Sequence, residues 1–204
     1  QLTGTGKTVS GTVPNLTVTG TVTASGPTTV NGSLTVSGST ANLNLGTKTV
    51  TVSGSFSTVS GGRLTMQSLL DVLTVTGAAT FQGGDETGLL TNGVLSVGGN
   101  FTQTFFSVPT SFVASTAHKV VLNGPGAQVV NFGSPGAGSS RFQDLEVATA
   151  TGSASLSSAA HASGNFTLTS GTLSGVGTLT VVGNVTKATG TTLSVAGLSV
   201  GGTL

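Results

Sequence analysis

Hydrophobic and polar residues alternate along most of the chain, in short segments that end at a glycine. In the segment LTVTG at 16–20, Leu16 and Val18 alternate with Thr17 and Thr19, and the alternation resumes beyond Gly20. A period of two is typical of a β-strand with one buried face. A glycine between two strands provides the backbone freedom for a corner. The repeating unit is therefore predicted to be strand, glycine corner, strand.

The same phrase returns with small changes at residues 34, 50, 73, 95 and 179. The first four steps are 18, 16, 23 and 22 residues long, which suits one turn of a β-solenoid with loops of variable length. A β-sandwich also has short strands and frequent turns. The identical corners of this chain favour the solenoid, because in a solenoid the corners stack on one another. We therefore predict an all-β fold, a single-stranded parallel β-helix (β-solenoid) of about nine short irregular rungs. At a strand spacing of ~4.8 Å this makes a rod of roughly 40 Å.

The phrasing changes between residues 104 and 160, where the strand character persists but the repeat does not. We predict longer rungs there, with the segment GSPGAGSS at 133–140 as a protruding loop. Residues 1–204 are expected to form one domain. Both ends lie within the repeat and have no polar cap, so the domain is expected to be part of a longer protein or fibre.

Two sets of residues follow from the repeat. The first set alternates with the buried positions and is predicted to stack as two outward hydroxyl columns, a candidate surface-binding face: Thr17, Thr19, Thr35, Ser37, Thr51, Ser53, Thr74 and Thr76. The second set is predicted to stack at the corners, with asparagine side chains bonding from turn to turn: Gly20, Gly38, Gly54, Gly77, Gly99, Asn100, Asn165 and Asn184.

Composition narrows the classes of function. Only 5% of the residues are charged, against an average of about 25%, and the net charge is +1. The basic residues are scattered, so we expect no nucleic-acid partner. With 36% apolar residues the chain is too hydrophobic for disorder. It has no cysteine and no apolar run of the ~20 residues that a membrane span needs. No cofactor is expected.

Catalytic chemistry has one candidate pair. Asp144 and Glu146 are two residues apart on a predicted strand, so both leave the face opposite Leu145 and Val147. Paired carboxylates are what glycoside cleavage requires. The favoured interpretation is a solvated face in which Arg141 neutralises either acid.

The remaining candidates are two histidines and one acidic turn. His118 and His161 lie in no recognisable catalytic phrase and are interpreted as surface or corner residues. Asp85 and Glu86, in the turn GGDETG, could ligate calcium, but that ion needs six to eight oxygens. We therefore predict no metal site and no catalytic residue.

The segments LSVGGNFT at 95–102 and FTLTSGTLSG at 166–175 resemble the β-solenoid regions of large secreted bacterial surface proteins, such as filamentous adhesins and autotransporter passengers. The resemblance covers most of the chain and implies a parallel β-helix that adheres or acts as a spacer. The expected function is a non-catalytic, extracellular or cell-surface module that forms a rod or fibre.

The expected partners are copies of the chain stacked end to end or neighbouring repeats, together with host or matrix glycans and proteins. Two alternatives stay open. One is an ice-binding solenoid that uses the Thr-x-Thr columns, and the other is a glycan-binding or glycan-cleaving β-helix.

Overall fold

The computed structural model describes residues 1–104 and 108–204 and is built from strands and turns alone in those ranges. Consequently none of the described residues forms a helix that could cross a membrane. The strands are β1 (Lys7–Val13), β2 (Leu16–Val18), β3 (Thr21–Val30), β4 (Leu34–Ser37), β5 (Asn42–Asn44), β6 (Thr49–Val52), β7 (Phe56–Val59), β8 (Arg63–Thr65), β9 (Val72–Val75), β10 (Ala79–Gln82), β11 (Val94–Val97), β12 (Phe101–Gln103), β13 (Lys119–Leu122), β14 (Ala127–Phe132), β15 (Asp144–Leu156), β16 (Ala160–Ala162), β17 (Phe166–Val181), β18 (Val185–Lys187) and β19 (Thr192–Val200).

The chain coils so that every turn crosses three ladders of parallel strands. Ladder 1 contains β2, β4, β7, β10, β12, β14, the last part of β15, the middle of β17 and the first part of β19. Ladder 2 starts with the first halves of β1 and β3, followed by β5 and β8, and ends with β16 and the last parts of β17 and β19. Ladder 3 starts with their second halves and runs through β6, β9, β11, β13, β15, β17 and β18.

This arrangement confirms the predicted solenoid. Every strand pair in the described part of the chain is parallel, which excludes the β-sandwich. The nine strands of ladder 1 enclose about eight turns, close to the nine predicted rungs. Long strands such as β15 and β17 run through a corner and belong to more than one ladder.

Alternation along each strand puts the apolar side chains inside. In β4, Leu34 and Val36 are fully buried, whereas Thr35 and Ser37 are half-buried on the outer surface. The buried residues of successive turns form one continuous core. Its centre is a stack of phenylalanines whose ring centroids lie 4.6 to 5.6 Å apart between Phe56, Phe81, Phe101 and Phe112. Because aromatic rings bury large areas, this stack is a major source of stability.

The predicted register is partly confirmed. Leu16 pairs with Leu34 in ladder 1, and Leu73 pairs with Leu95 in ladder 3. The predicted pairing of Leu34 with Val50 is wrong, because Leu34 pairs with Phe56. The physical reason is that one turn contains three short strands, so the same phrase occurs more than once within a turn. The step of 16 residues, from residue 34 to residue 50, therefore joins strands of two different ladders.

The irregular segment between residues 104 and 160 contains long turns, and its residues 105–107 lie outside the described ranges. In place of a full strand, ladder 2 continues through single bridges at Leu90, Ala114 and Phe142. The predicted loop at 133–140 is a short turn closed by a bridge between Pro135 and Ser140. The core is uninterrupted across this segment because Phe112, Phe132 and Phe142 fill it.

Candidate functional site

The outer surface of ladder 1 carries a column of hydroxyl groups. Thr17 stands opposite Thr35, which stands opposite Ser57, and the column continues through Thr80 and Thr102. Asn131 occupies the next level. The Ser57 hydroxyl donates a hydrogen bond to Thr35 Oγ1 at 3.2 Å, along the direction of the column. A regular series of hydrogen-bonding groups thus follows the rod axis at the strand spacing, ~4.8 Å.

Charge distinguishes this surface from the others. The strands of ladder 1 from β2 to β14 contain no Lys, Arg, Asp or Glu. The outer surface of ladder 3 carries Lys119, Asp144 and Glu146, and ladder 2 carries Arg63. The outer side of ladder 1 is therefore a neutral surface lined by small polar groups. We call it the hydroxyl face and define it by Thr17, Thr35, Ser57, Thr80, Thr102 and Asn131.

The eight predicted surface residues do not form one array. Thr51 and Thr74 lie in ladder 3. The column there begins at Thr12 and Thr29 and passes beyond Thr74 to Ser96 and Val121. Ser53 and Thr76 follow at the next corner of ladder 3.

The other four predicted residues belong to ladder 1. Thr17 and Thr35 start the hydroxyl face, with Thr19 and Ser37 beside them. Val59 stands opposite Ser37, so this second column ends after two turns. The prediction of two continuous columns is therefore wrong, because it stacked Thr51 on Thr35, whereas these two residues lie in different ladders.

The corner between ladders 3 and 1 is a stack of glycines. Gly54 N–H donates to the Gly32 carbonyl, Gly77 N–H to that of Gly54, and Gly99 N–H to that of Gly77, at 2.8 to 2.9 Å. A Cβ atom on Gly99 would lie 2.5 Å from the Gly77 carbonyl carbon. The predicted stacking of these glycines is confirmed, and the reason is the close approach of backbone to backbone.

Two further predicted glycines lie at other positions. Gly20 packs against the backbone of Gly4, so it also has no room for a side chain. Gly38 adopts a φ of 122°, in the region that favours glycine.

The asparagines divide between two corners. Asn165 Oδ1 accepts the Asn184 N–H at 3.0 Å, and Asn184 Oδ1 accepts the Thr203 N–H at 2.9 Å. Asp144 begins this series by accepting the Asn165 N–H at 2.7 Å. We call Asp144, Asn165, Asn184 and Thr203 the amide ladder. Asn100 lies at the glycine corner instead, where its Oδ1 accepts the Val129 N–H.

Asp144 and Glu146 do leave one face of β15, opposite buried Leu145 and Val147, as predicted. Both are engaged in structural contacts. Glu146 pairs with Lys119 at 3.1 Å and accepts a hydrogen bond from the Thr169 hydroxyl at 2.8 Å. Partial burial opposes ionisation, but these two partners lower the pKa of Glu146 overall.

The predicted partner of this pair is wrong. Arg141 directs its guanidinium to the carbonyls of Ala137 and Ser139, at 2.8 and 3.1 Å. It therefore closes the adjacent turn, while Lys119 occupies the position opposite the acids.

The two residues of the acidic turn have different environments. Asp85 Oδ1 accepts hydrogen bonds from the backbone and hydroxyl of Thr87 at the surface. Glu86 is fully buried, and its Oε1 accepts the Leu64 N–H at 3.0 Å. Within the described ranges, no group of three or more His, Asp or Glu side chains could hold a metal ion.

The prediction that His118 is a surface or corner residue is wrong as regards its exposure. His118 is fully buried, and its ring packs edge-on against Phe112. Neither ring nitrogen has a partner in the described part of the chain. Burial lowers the pKa of His118 to about 3. The ring is therefore a neutral element of the core. His161 is partly exposed opposite Thr180 in ladder 2.

Sequence reasoning missed several buried polar residues that satisfy backbone groups. Asp71 accepts hydrogen bonds from the N–H groups of Thr47, Gln67 and Ser68, at 2.7 to 2.9 Å. The Gln128 side chain accepts the Gly124 N–H and donates to the Val97 carbonyl of the preceding turn. The available signal was a polar residue in a turn longer than its neighbours, where backbone groups lose their ladder partners.

No family model matches the chain, and no curated protein or solved structure is significantly similar to it.

Proposed function

We propose that the chain is a non-catalytic structural and adhesive β-solenoid module of a bacterial cell surface or another extracellular setting, where it works as a rod or part of a fibre. The observation that carries the proposal is the continuity of the stack. Three parallel ladders and one core run through the described turns, and each corner contacts the one below. Such a stack resists bending because each turn depends on its neighbours.

The candidate catalytic groups support the same proposal. The Asp144 side chain is used by the amide ladder, and Glu146 is paired with Lys119 and Thr169. The buried His118 is kept from titrating near neutral pH because burial lowers its pKa to about 3. A structural role explains each of these residues without a substrate.

We further propose that the partners are another copy of the chain or adjoining repeats, stacked along the axis. An open, mainly apolar groove of about 440 Å³ lies at the last turn, lined by Val185, Lys187, Leu193, Val195, Leu198 and Leu204. A further turn placed on this side would bury these side chains and pair the free edge of the ladders.

Small-angle X-ray scattering over a concentration series tests this proposal. We expect a particle of constant cross-section whose length increases in whole multiples as concentration rises. A compact, concentration-independent particle would argue against end-to-end stacking. A polysaccharide panel tests the non-catalytic role, and cleavage that Asp144→Ala or Glu146→Ala abolishes would argue for the glycan-cleaving alternative.

A second candidate function, binding to ice, is favoured by the hydroxyl face. Its neutral groups repeat at one spacing over successive turns, from Thr17 to Thr102. A rigid array of this kind can order water in a lattice, which charged or mobile side chains would disrupt.

The chain offers a matched pair of variants for this function. Thr80 lies on the hydroxyl face and Thr74 on the outside of ladder 3. If the hydroxyl face binds ice, the wild type will inhibit ice recrystallisation, Thr80→Lys will abolish the effect and Thr74→Lys will retain it. A wild type without inhibition, or equal losses in both variants, would rule out this face.

A further inference from the structure

Ladder 2 is interrupted above β8, and a side chain replaces the missing strand. The lower edge of β8 pairs with β5, where Leu64 stands opposite Leu43. Above β8 the next contact between strands is a single bridge from Met66 to Leu90. The intervening residues 83–89 form a turn, and the Leu64 N–H points to the carboxyl group of Glu86 from that turn.

Glu86 joins three segments. Its Oε1 accepts the Leu64 N–H at 3.0 Å, which connects the turn to β8. Its own N–H donates to the Thr110 carbonyl at 3.0 Å, and its carbonyl accepts the Leu89 N–H at 3.0 Å. One fully buried residue therefore links β8, the turn and the segment that follows residue 107.

The site is incompletely satisfied. Glu86 Oε2 is buried and has no hydrogen-bond partner, and the same is true of Arg63 Nε among the described residues. A Cβ atom on Gly84 would lie 2.8 Å from Arg63 Nε, so the guanidinium stem crosses the turn two residues before Glu86. In the described ranges, Arg63 and Glu86 are not within ion-pairing distance.

Few charges face Glu86. Arg63 from β8 and Asp85 from the same turn are the charged groups that act on it. β7, which contacts the turn through Thr58 beside Gly83, and residues 108–114, which accept the Glu86 N–H at Thr110, contain no titratable side chain. A neutral carboxylic acid suits this site, since its Oε1 can accept from Leu64 without a buried negative charge.

We propose that Glu86 is a proton-operated latch that holds the turn at 83–89 closed on β8. With the proton bound, the turn stays closed and the upper edge of β8 is covered. When the proton is lost, the buried carboxylate is released towards solvent and Arg63. The turn then opens and exposes the Leu64 N–H. Opening a local segment is less costly than unfolding the whole stack.

The protonation behaviour agrees with this geometry. Burial raises the pKa of Glu86 well above its usual value, although the Leu64 hydrogen bond and the Arg63 charge act in the opposite direction. The closed state is therefore favoured at low pH, and opening increases as pH rises through the raised pKa. This inference is independent of the proposed surface role and of ice binding.

Amide hydrogen exchange across a pH series tests the latch. After correction for the intrinsic exchange rate, we expect the protection of the Leu64 amide to fall at least tenfold with rising pH in the wild type. Glu86→Gln cannot ionise and is expected to show no such fall. Asp85→Asn, at the neighbouring exposed carboxyl, is the matched control and should keep the pH-dependent fall, because Glu86 can still ionise. The Leu34 amide, which donates to the Ser55 carbonyl in regular ladder 1, should stay protected throughout.

Protection of Leu64 that does not change with pH in the wild type, or that falls equally in Glu86→Gln, would overturn the proposal. If Glu86→Gln fails to fold, infrared spectroscopy of the wild type replaces it. We expect a protonated carboxyl absorption that disappears over the same pH range in which Leu64 loses protection. A carboxyl absorption that does not change together with the protection of Leu64 would also overturn the proposal.

Discussion

At the scale of single residues, the fold depends on buried groups whose surroundings favour one state over the other. His118 must stay neutral because its ring is fully buried beside Phe112. Burial also favours the neutral form of Glu86, which is the protonated form, because it raises the pKa of that carboxyl. Gly54 and Gly99 must have no side chain because backbone atoms of the turn below occupy the space.

His118 should make the fold sensitive to acid. Its pKa is about 3 in the folded chain against the usual 6.5, so the unfolded chain binds the proton first as pH falls. The stability that neutral His118 contributes is complete above pH 6.5 and is lost as pH falls from 6.5 towards 3. We expect the stability of His118→Phe, relative to the wild type, to rise by about 1.4 kcal/mol for each pH unit below 6.5.

Urea denaturation at pH 7 and pH 5 measures this difference. The comparison between variant and wild type is necessary because Glu86 has the opposite dependence over the same range. Its raised pKa means that its contribution is present below 4.5 and is lost as pH rises. His161→Phe, at a partly exposed ring, should change the dependence less. A constant difference between His118→Phe and wild type would contradict the prediction.

A side chain at the glycine corner should destabilise the protein. A Cβ on Gly54 or Gly99 would contact the backbone of the preceding corner at 2.7 or 2.5 Å, so the stack would have to separate locally. We expect Gly54→Val or Gly99→Val to lower the free energy of unfolding by at least about 1 kcal/mol. Gly126→Val is the control, since a Cβ there has no atom within 4 Å. Equal melting temperatures for Gly99→Val and Gly126→Val would show that the corner has room.

At the scale of elements, side chains at corners continue the hydrogen-bond ladders between strands. In the amide ladder, from Asp144 to Thr203, the side-chain oxygen at each level accepts the backbone N–H group of the next level. Asp144 and asparagine serve equally here because each offers a carbonyl-type oxygen next to the strand. The best carboxylate candidate for chemistry thus acts as the first member of a structural series.

Removal of one member should weaken the ladder at one level. In Asn165→Ala the Asn184 N–H loses its acceptor, so we expect a loss of about 1 kcal/mol and faster exchange of the Asn184 amide. Asn131→Ala is the control, because the Asn131 side chain accepts from the Ser157 hydroxyl rather than from a backbone group. Unchanged exchange at Asn184 in Asn165→Ala would show that the ladder contributes little.

The elements were predictable from the sequence to the extent that they depend on alternation. Leu34 and Val36 inside and Thr35 outside follow directly from a period of two. The assignment of strands to ladders was not predictable, because LTV at 16–18 and at 73–75 has the same letters in different ladders. Burial of Glu86 and His118 was hidden for a related reason, since it depends on how long turns fold over the core.

At the scale of the whole molecule, the three ladders make a rod with different outer surfaces. Ladder 1 presents the neutral hydroxyl face, and ladder 3 presents the charged group around Lys119 and Glu146. The proposed functions use different parts of this rod. Stacking uses its end, ice binding uses the hydroxyl face, and the latch opens the surface of ladder 2, where the turn at 83–89 follows β10 of ladder 1.

The regular rise of ladder 1 is the central claim, and spin-label distances test it most directly. The chain has no cysteine, so pairs of introduced cysteines carry the labels at chosen sites only. From Thr17, the ladder reaches Thr80 after three steps, Thr102 after four and Asn131 after five.

We therefore expect mean label distances of about 14, 19 and 24 Å for the pairs from Thr17 to Thr80, Thr102 and Asn131, with an increase of ~4.8 Å per turn. Distances that do not increase in this order, or a Thr17–Asn131 distance as short as Thr17–Thr80, would contradict the parallel solenoid.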